Sequence, residues 1–224
     1  MGAMSFLHRL HTVMVHAPVR PIVMPSVLAA PPGAVGITLR PMSDRDLPEW
    51  NAVRQGNREW LEPWESGDPE RAAGMTFAEW IERQRQDERQ GAAAQFLIEY
   101  QMRSVGQISV GAISYGAMRS GIVGYWVSRD AIGHGIAPMA VALLADWALL
   151  DEAGPRLHRI EIAILPENRR SLRVAQKLES HHEGLRPKYM FVRGAWRDHE
   201  TYSLLADDAP EGFAVRLMRR HARE

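Results

Sequence analysis

Polar and apolar residues alternate along 35–41, the two-residue period of a strand, and the period then lengthens to that of helices. Ser43-Asp44 caps a helix entered by Leu47 and Trp50, residues 57–67 read as an aromatic-bearing loop or short helix, and Thr76 caps an amphipathic helix. In that helix Phe77, Trp80 and Ile81 lie on one side, with Arg83, Arg85, Asp87 and Glu88 elsewhere. The strand period returns at 93–100, 105–118 and 121–128, joined by short turns, which predicts an antiparallel meander. Two glycines one residue apart, Gly133 and Gly135, break the pattern, and an apolar-periodic helix follows through Met139, Leu143, Leu144 and Trp147. Downstream the pattern predicts a strand over 157–165, a proline-initiated helix over 167–178, and strands over 184–192 and 196–205 around an Arg193-Gly194 turn. Residues 209–223 read as a terminal helix with Phe213 and Leu217 turned inward.

This order predicts an α/β fold with a mixed, largely antiparallel central sheet flanked by helices. The domain spans 35–208. Residues 1–34 form an N-terminal arm, rich in Pro, Met and His without a sustained period and ending in the Pro31-Pro32-Gly33 breaker, and 209–224 form a C-terminal helical tail. Met1-Gly2-Ala3 ahead of Met4 reads as a cloning remnant. The arm fails as a signal peptide, because His11, His16, Arg20 and three prolines interrupt its apolar residues. No internal repeat is evident.

Lys plus Arg equals Asp plus Glu, 27 each, so no overall field draws the chain to DNA or an anionic membrane. The cysteine count is zero, which excludes disulfides, thiolate nucleophiles and Cys-based zinc sites and fits a reducing, cytoplasmic setting. No stretch is long and apolar enough to span a bilayer. His181-His182 is not read as a metal pair, since adjacent strand residues point to opposite faces.

The glycine turn carries chemistry as well as geometry. Glycines let the backbone approach a ligand, and the free N–H groups and positive dipole end of the following helix favour phosphate oxygens. Taken alone, the two glycines are more often an ordinary strand-to-helix turn. Residues downstream change that weighting.

Four blocks resemble the GNAT superfamily of acetyl-CoA-dependent N-acetyltransferases and, within it, the RimJ/RimL branch of ribosomal-protein alanine N-acetyltransferases. They are Asn57-Arg58-Glu59-Trp60-Leu61-Glu62-Pro63-Trp64-Glu65; the strand, turn and helix from Tyr125 to Ala148; His158-Arg159-Ile160 leading into Pro166 to Leu178; and Gly194-Ala195-Trp196-Arg197-Asp198-His199 followed by Tyr202-Ser203-Leu204. The resemblance covers about residues 36–206 and implies a GNAT fold. Two positions depart from the branch: Ile132 stands where Arg or Gln commonly precedes the first glycine, and Glu179-Ser180 where Gly-Phe commonly follows the Lys-Leu pair. Arg129 or Arg173 can supply the missing charge.

The resemblance implies acetyl-CoA as cofactor, CoA as product and no metal. Its diphosphate would rest on the main chain of Ile132, Gly133, His134, Gly135, Ile136 and Ala137, with Arg173 nearby. A neutral amine must attack the thioester carbonyl, and an amide of Trp126 or Val127 would stabilise the oxyanion. Asn168 would hold the acetyl or pantetheine end, and Ser171, three residues on along the same helical face, would protonate the departing sulfur. Tyr202 is a competing proton donor. Glu161, Glu65 or an ordered water is the candidate base. Trp60, Trp64, Glu65 and Tyr125 are the candidate substrate contacts, the two tryptophans suggesting a lid over a groove.

Plainer readings stand beside these. Asn168 and Ser171 also fit an ordinary helix start, Glu161 fits a strand carboxylate paired with Arg159 or facing solvent, and His199 beside Asp198 reads as a hydrogen-bonded structural histidine before a catalytic dyad. The Arg216, Arg219, Arg220, His221 and Arg223 tail reads as a solvated helix face, with ribosomal RNA as the lesser alternative. The expected reaction is acetylation of a protein N-terminus, with Ala or Ser first and a ribosomal protein as the branch precedent. The alternatives are a small-molecule amine acetyltransferase and a non-catalytic acyl-CoA binder. Homo-oligomerisation stays open.

Overall fold

The computed structural model describes residues 20–70 and 75–221, so the arm before Arg20 and the tail's Arg223 lie outside the described residues. In chain order the elements are β1 (Leu28–Ala29), β2 (Ile37–Pro41), α1 (Leu47–Gly56), α2 (Arg58–Leu61), α3 (Phe77–Arg89), β3 (Ala94–Tyr100) and β4 (Arg103–Ser114). Then come β5 (Ser120–Val127), α4 (Ile136–Ala145), β6 (Arg159–Ile164), α5 (Arg169–Lys177), β7 (His181–Val192), β8 (Ala195–Leu205) and α6 (Phe213–His221). The eight strands form one sheet in the order β1-β2-β3-β4-β5-β6-β8-β7, antiparallel throughout except where β5 meets β6.

Local chemistry accounts for most boundaries. Thr76 caps α3 through a capping box, its hydroxyl accepting from the Glu79 N–H while the Glu79 carboxylate takes the Thr76 N–H at 2.8 Å. Arg193 and Gly194 both sit at positive φ, 50° and 78°, the two left-handed positions of a hairpin turn whose twist suits its strands. The third predicted strand segment stops at Ser114, short of Met118: pairing resumes past a bulge at Ala112 (φ 48°) with Ser114 opposite Ser120, and the chain then turns through Gly116 (φ 71°) and Arg119 (φ 41°). At the other end of the chain, Leu28 and Ala29 pair with Leu39 and Thr38, and Ile22 is buried against the core.

Helix α4 lies between the sheet and α6, with nine of its ten residues buried, so it is apolar all round rather than on one stripe. It widens into a π-helical turn, Asp146–Leu150, which carries the Asp146 carboxylate to the start of α6. There it accepts the N–H groups of Phe213 and Ala214, two donors that the first turn of a helix cannot satisfy internally. Burial raises the Asp146 carboxyl, with those two amides and Arg216 pulling the other way. Trp147 meets Phe96 edge-on at 5.1 Å beneath the sheet, and Phe213 and Leu217 are buried as their spacing predicts.

Candidate active site

The parallel pair is short. Ser120 to Val123 of β5 pair with Arg159 to Ile162 of β6, and beyond Val123 the two strands part while β5 stays paired with β4 out to Val127. Ser128 donates its N–H to the Val105 carbonyl at 2.7 Å, so by the alternation of a ladder the Trp126 amide also faces β4. The amides of Tyr125 and Val127 point instead into the opening. Of the two oxyanion candidates, only Val127 has its N–H directed there.

Above this opening, Gly133 (φ 87°) and Gly135 (φ 76°) hold left-handed conformations that lead into α4. Nothing lies within 4 Å of a side chain built at Gly133, so it is the backbone torsion, not crowding, that calls for glycine there. The first turn of α4 has no acidic residue and no side-chain cap, which leaves the N–H groups of Ile136 and Ala137 unclaimed by the protein; Pro138 contributes none. A ring of outward N–H groups at a positive dipole end fits a diphosphate. Ile132 and His134 are exposed beside the turn, and His134 Nδ1 lies 3.4 Å from the Ala131 carbonyl. The exposed guanidinium of Arg173 has no ion-pair partner among the described residues.

On the far side of the opening stands the start of α5. Asn168 caps it, its Oδ1 accepting the Ser171 N–H at 3.2 Å, so the two candidate residues meet as a cap and its partner. The Tyr125 hydroxyl is fully enclosed and makes no hydrogen bond of normal geometry. Burial pushes it up to about 12, with the nearby Ser171 hydroxyl acting weakly in the opposite direction.

The opposite face of the sheet carries a cleft of about 1070 Å³ between α1, α3, the aromatic loop and the splayed strands. Trp64, Glu65, Trp126, Asn168 and Ser171 line it. So do residues not singled out above as site candidates: Trp50, Phe77 and Trp80, clustered with tilted rings and centroids 5.1 to 5.5 Å apart, and Arg54, Gln107 and His199. The aromatic trio shows in the sequence only as helix periodicity, because Trp50 comes from a different helix than Phe77 and Trp80. Arg54 lies over the Trp126 ring at 5.3 Å and forms a short ion pair with Glu65.

Other candidates lie elsewhere. Trp60 stands outside the cleft lining; its Nε1 donates to the Val127 carbonyl and Arg170 covers its ring at 4.6 Å. Glu161 is buried and held by Arg186 at 2.6 Å and by the Tyr189 hydroxyl at 2.8 Å, not by Arg159, which pairs with Glu183. Tyr202, opposite Ile162 in the ladder, packs on the core beneath the helices with its ring 4.9 Å from His182. Asp198 accepts the Lys188 N–H at 2.7 Å and does not partner His199. His181 and His182 reach different carboxylates, Asp208 and Glu200. Among the described residues no cluster of three or more metal-ligating side chains occurs, and no helix is long and apolar enough to cross a membrane.

Comparison with known families adds the deciding observation: a model of the acetyltransferase (GNAT) domain matches residues 37–181. The chain belongs to the GNAT acetyltransferase family. As a GNAT protein it is an acetyl-CoA-dependent N-acetyltransferase. Its structure is similar to that of Mycobacterium smegmatis RimJ in complex with CoA-disulfide, at a TM-score of 0.79 and 33% identity over 90% of this chain and 97% of that one. The [Ribosomal protein uS5]-alanine N-acetyltransferase of Escherichia coli (strain K12) is 26% identical over 182 residues, 79% of this chain and 91% of that protein. Probable N-acetyltransferase YjcK of Bacillus subtilis (strain 168) is 35% identical over 106 residues, which span 47% of this chain and 57% of YjcK.

Proposed function

We propose that this GNAT enzyme acetylates the N-terminal α-amino group of a protein, with a small first residue such as Ala or Ser and a ribosomal protein as the substrate class. The carrying observation is the two-sided opening between β5 and β6: an amide-lined turn on the helix face, and an aromatic-walled cleft open to solvent on the other. A chain end can enter such a cleft while the rest of its protein stays outside. The similarity to RimJ, and to an enzyme named for ribosomal protein uS5, favours the same substrate class.

Acetyl-CoA supplies the activated thioester. In this reading the N–H groups of residues 133–137 hold its diphosphate and Arg173 adds charge. The Val127 N–H donates to the developing oxyanion, a contact typically worth about 3 kcal/mol of barrier. Asn168 fixes the turn that presents Ser171, and Ser171 gives a proton to the leaving sulfur. The cleft holds one described carboxylate, Glu65, already engaged by Arg54, which disfavours polycationic amines.

The test is free-thiol release from acetyl-CoA in the presence of Ala- or Ser-initiated peptides, N-blocked controls and small amines. Release that requires a free peptide N-terminus supports the proposal. Release with small amines alone makes the chain a small-molecule acetyltransferase, and tight CoA binding without release makes it a binder.

A further inference from the structure

An amine at neutral pH is mostly ammonium and must lose a proton before it can attack, so an acceptor in the cleft frees the reaction from the small free-amine fraction. Among the described cleft-lining residues the side chains that offer a basic lone pair are Glu65 and His199; the Tyr125 phenol, pushed up to about 12, keeps its proton. Glu65 is tied to Arg54. Glu161, on the same face, is saturated by Arg186 and Tyr189.

His199 is different. It is 4% exposed yet lines the cleft, and its Nδ1 lies 3.0 Å from the Arg197 carbonyl. A carbonyl can only accept, so Nδ1 carries the hydrogen and Nε2 keeps its lone pair. No described residue partners Nε2. The ladder places the ring at the mouth of the splay: Glu200 pairs with Ile164, the last residue of β6, and the Asn168 N–H bonds back to the Leu165 carbonyl just beyond. Side chains at His199, Thr201 and Ser203 project to the same face as Glu161 and Ala163, the cleft side.

We propose that His199 is the general base, its Nε2 accepting the proton that the incoming ammonium loses. This rests on the acetyl-transfer reading above. The proton passes to Nε2 and the freed amine forms the new C–N bond at the thioester carbonyl. The C–S bond then breaks, and the second amine proton ends on sulfur by way of the Ser171 hydroxyl. The products are the acetamide, CoA thiol and an imidazolium that returns its proton to water. The titratable groups facing the ring are Arg186 and Tyr189 of β7, Glu161 of β6 and Glu65 of the aromatic loop, with Arg197 and Asp198 on its own strand. Arg197 is paired with Glu167 at 2.6 Å and Asp198 is turned to the Lys188 N–H, so neither competes for Nε2.

The test compares the full chain with His199→Asn, whose amide NH2 keeps a donor for the Arg197 carbonyl while deleting the nitrogen that faces the cleft. His199→Gln serves as a second variant. CoA binding by calorimetry and the melting temperature establish that each variant is folded. Thiol release with an Ala-initiated peptide is then followed from pH 5.5 to 9.5. The expected result is a fall of about 10²-fold or more in kcat at pH 7, with the acid limb of the wild-type profile replaced by activity that tracks the free-amine fraction of the peptide. A folded variant that keeps the wild-type rate, or that loses rate equally at every pH with the limb in place, overturns the assignment. Wild-type chain that binds CoA but releases no thiol with any amine defeats the underlying acetyl-transfer reading instead.

Discussion

Trp60 Nε1 donates to the Val127 carbonyl at 3.2 Å, joining the aromatic loop to the end of the strand whose amide faces the opening. The loop is thus an anchor for β5 as well as a wall of the cleft, and Asn57 adds a second tie by accepting the Arg129 N–H at 2.8 Å. Trp60→Phe keeps a ring beneath Arg170 and deletes the donor. We expect a stability loss of about 1 kcal/mol and a several-fold drop in kcat, with CoA affinity nearly unchanged. Denaturant unfolding and steady-state kinetics check it; an unchanged kcat in a measurably destabilised variant would show that the Val127 amide does not depend on this bond.

Gly135 holds φ 76° at the entrance to α4, where a side chain would meet only Val35 at 4.0 Å. Gly135→Ala therefore adds torsional strain without a clash, about 1 kcal/mol of lost stability. Because the same torsion aims the first amides of α4, CoA binding is expected to weaken as well. A control at Gly124, whose φ is not in the left-handed region, should leave CoA affinity unchanged. Calorimetric titration with CoA decides; equal affinity in wild type and Gly135→Ala would remove the turn from the binding role.

What could be read from the chain followed physical range. The Thr76 box, the Arg193-Gly194 turn and the buried pair Phe213 and Leu217 rest on contacts within a few residues, and each is where its spacing predicts. The partner of Glu161 is another matter. Arg186 and Tyr189 are three apart on β7 and would face opposite sides of a regular strand, but a register shift between Arg186 and Met190, with Lys188 at φ 49°, turns both toward the same carboxylate. No local pattern announces that bulge. The parting of β5 from β6 is equally silent, since nothing in the residues of either strand marks Val123 and Ile162 as the last pair and only their pairing in space shows where contact ends. His199 escaped for the same reason: the neighbour that suggested a dyad, Asp198, points to the other side, and its actual hydrogen-bond partner is a main-chain carbonyl.

Asp46 makes a two-pronged contact with Arg40, at 2.7 and 2.9 Å, and accepts the Ser43 N–H at 2.7 Å. Burial alone would raise its carboxyl, but the bonds from Arg40 and Ser43 and the guanidinium charge outweigh that and hold it below the ordinary range. A depressed folded pKa means stability that is fully present above the unfolded value, about 3.9, and is lost as pH falls through the folded one. Asp46→Asn is expected to cost about 2 kcal/mol at pH 7, and the gap to wild type should narrow toward pH 3. Urea unfolding at the two pH values checks the sign; a gap that widens in acid contradicts it.

Two hydroxyls border the opening where the leaving sulfur would lie, and they can be separated. The Tyr125 phenol, pushed up to about 12 by burial, stays neutral at any working pH and makes no normal hydrogen bond. Tyr125→Phe removes an enclosed, unsatisfied polar atom and should leave stability equal or raise it by up to about 1 kcal/mol, with kcat within a few-fold of wild type. Ser171 stands at the open end of α5 with its amide fixed by Asn168 and its hydroxyl close to the Tyr125 phenol, and both contacts position it. Ser171→Ala is expected to lower kcat about 10²-fold, the lower end of the range for a lost acid, while the Kd for CoA moves less than about three-fold. Single-turnover kinetics with calorimetry on the same preparations resolves the two. If Tyr125→Phe shows the deeper loss in kcat, the proton reaches sulfur from the phenol, and Ser171 is left as the first-turn partner of its cap.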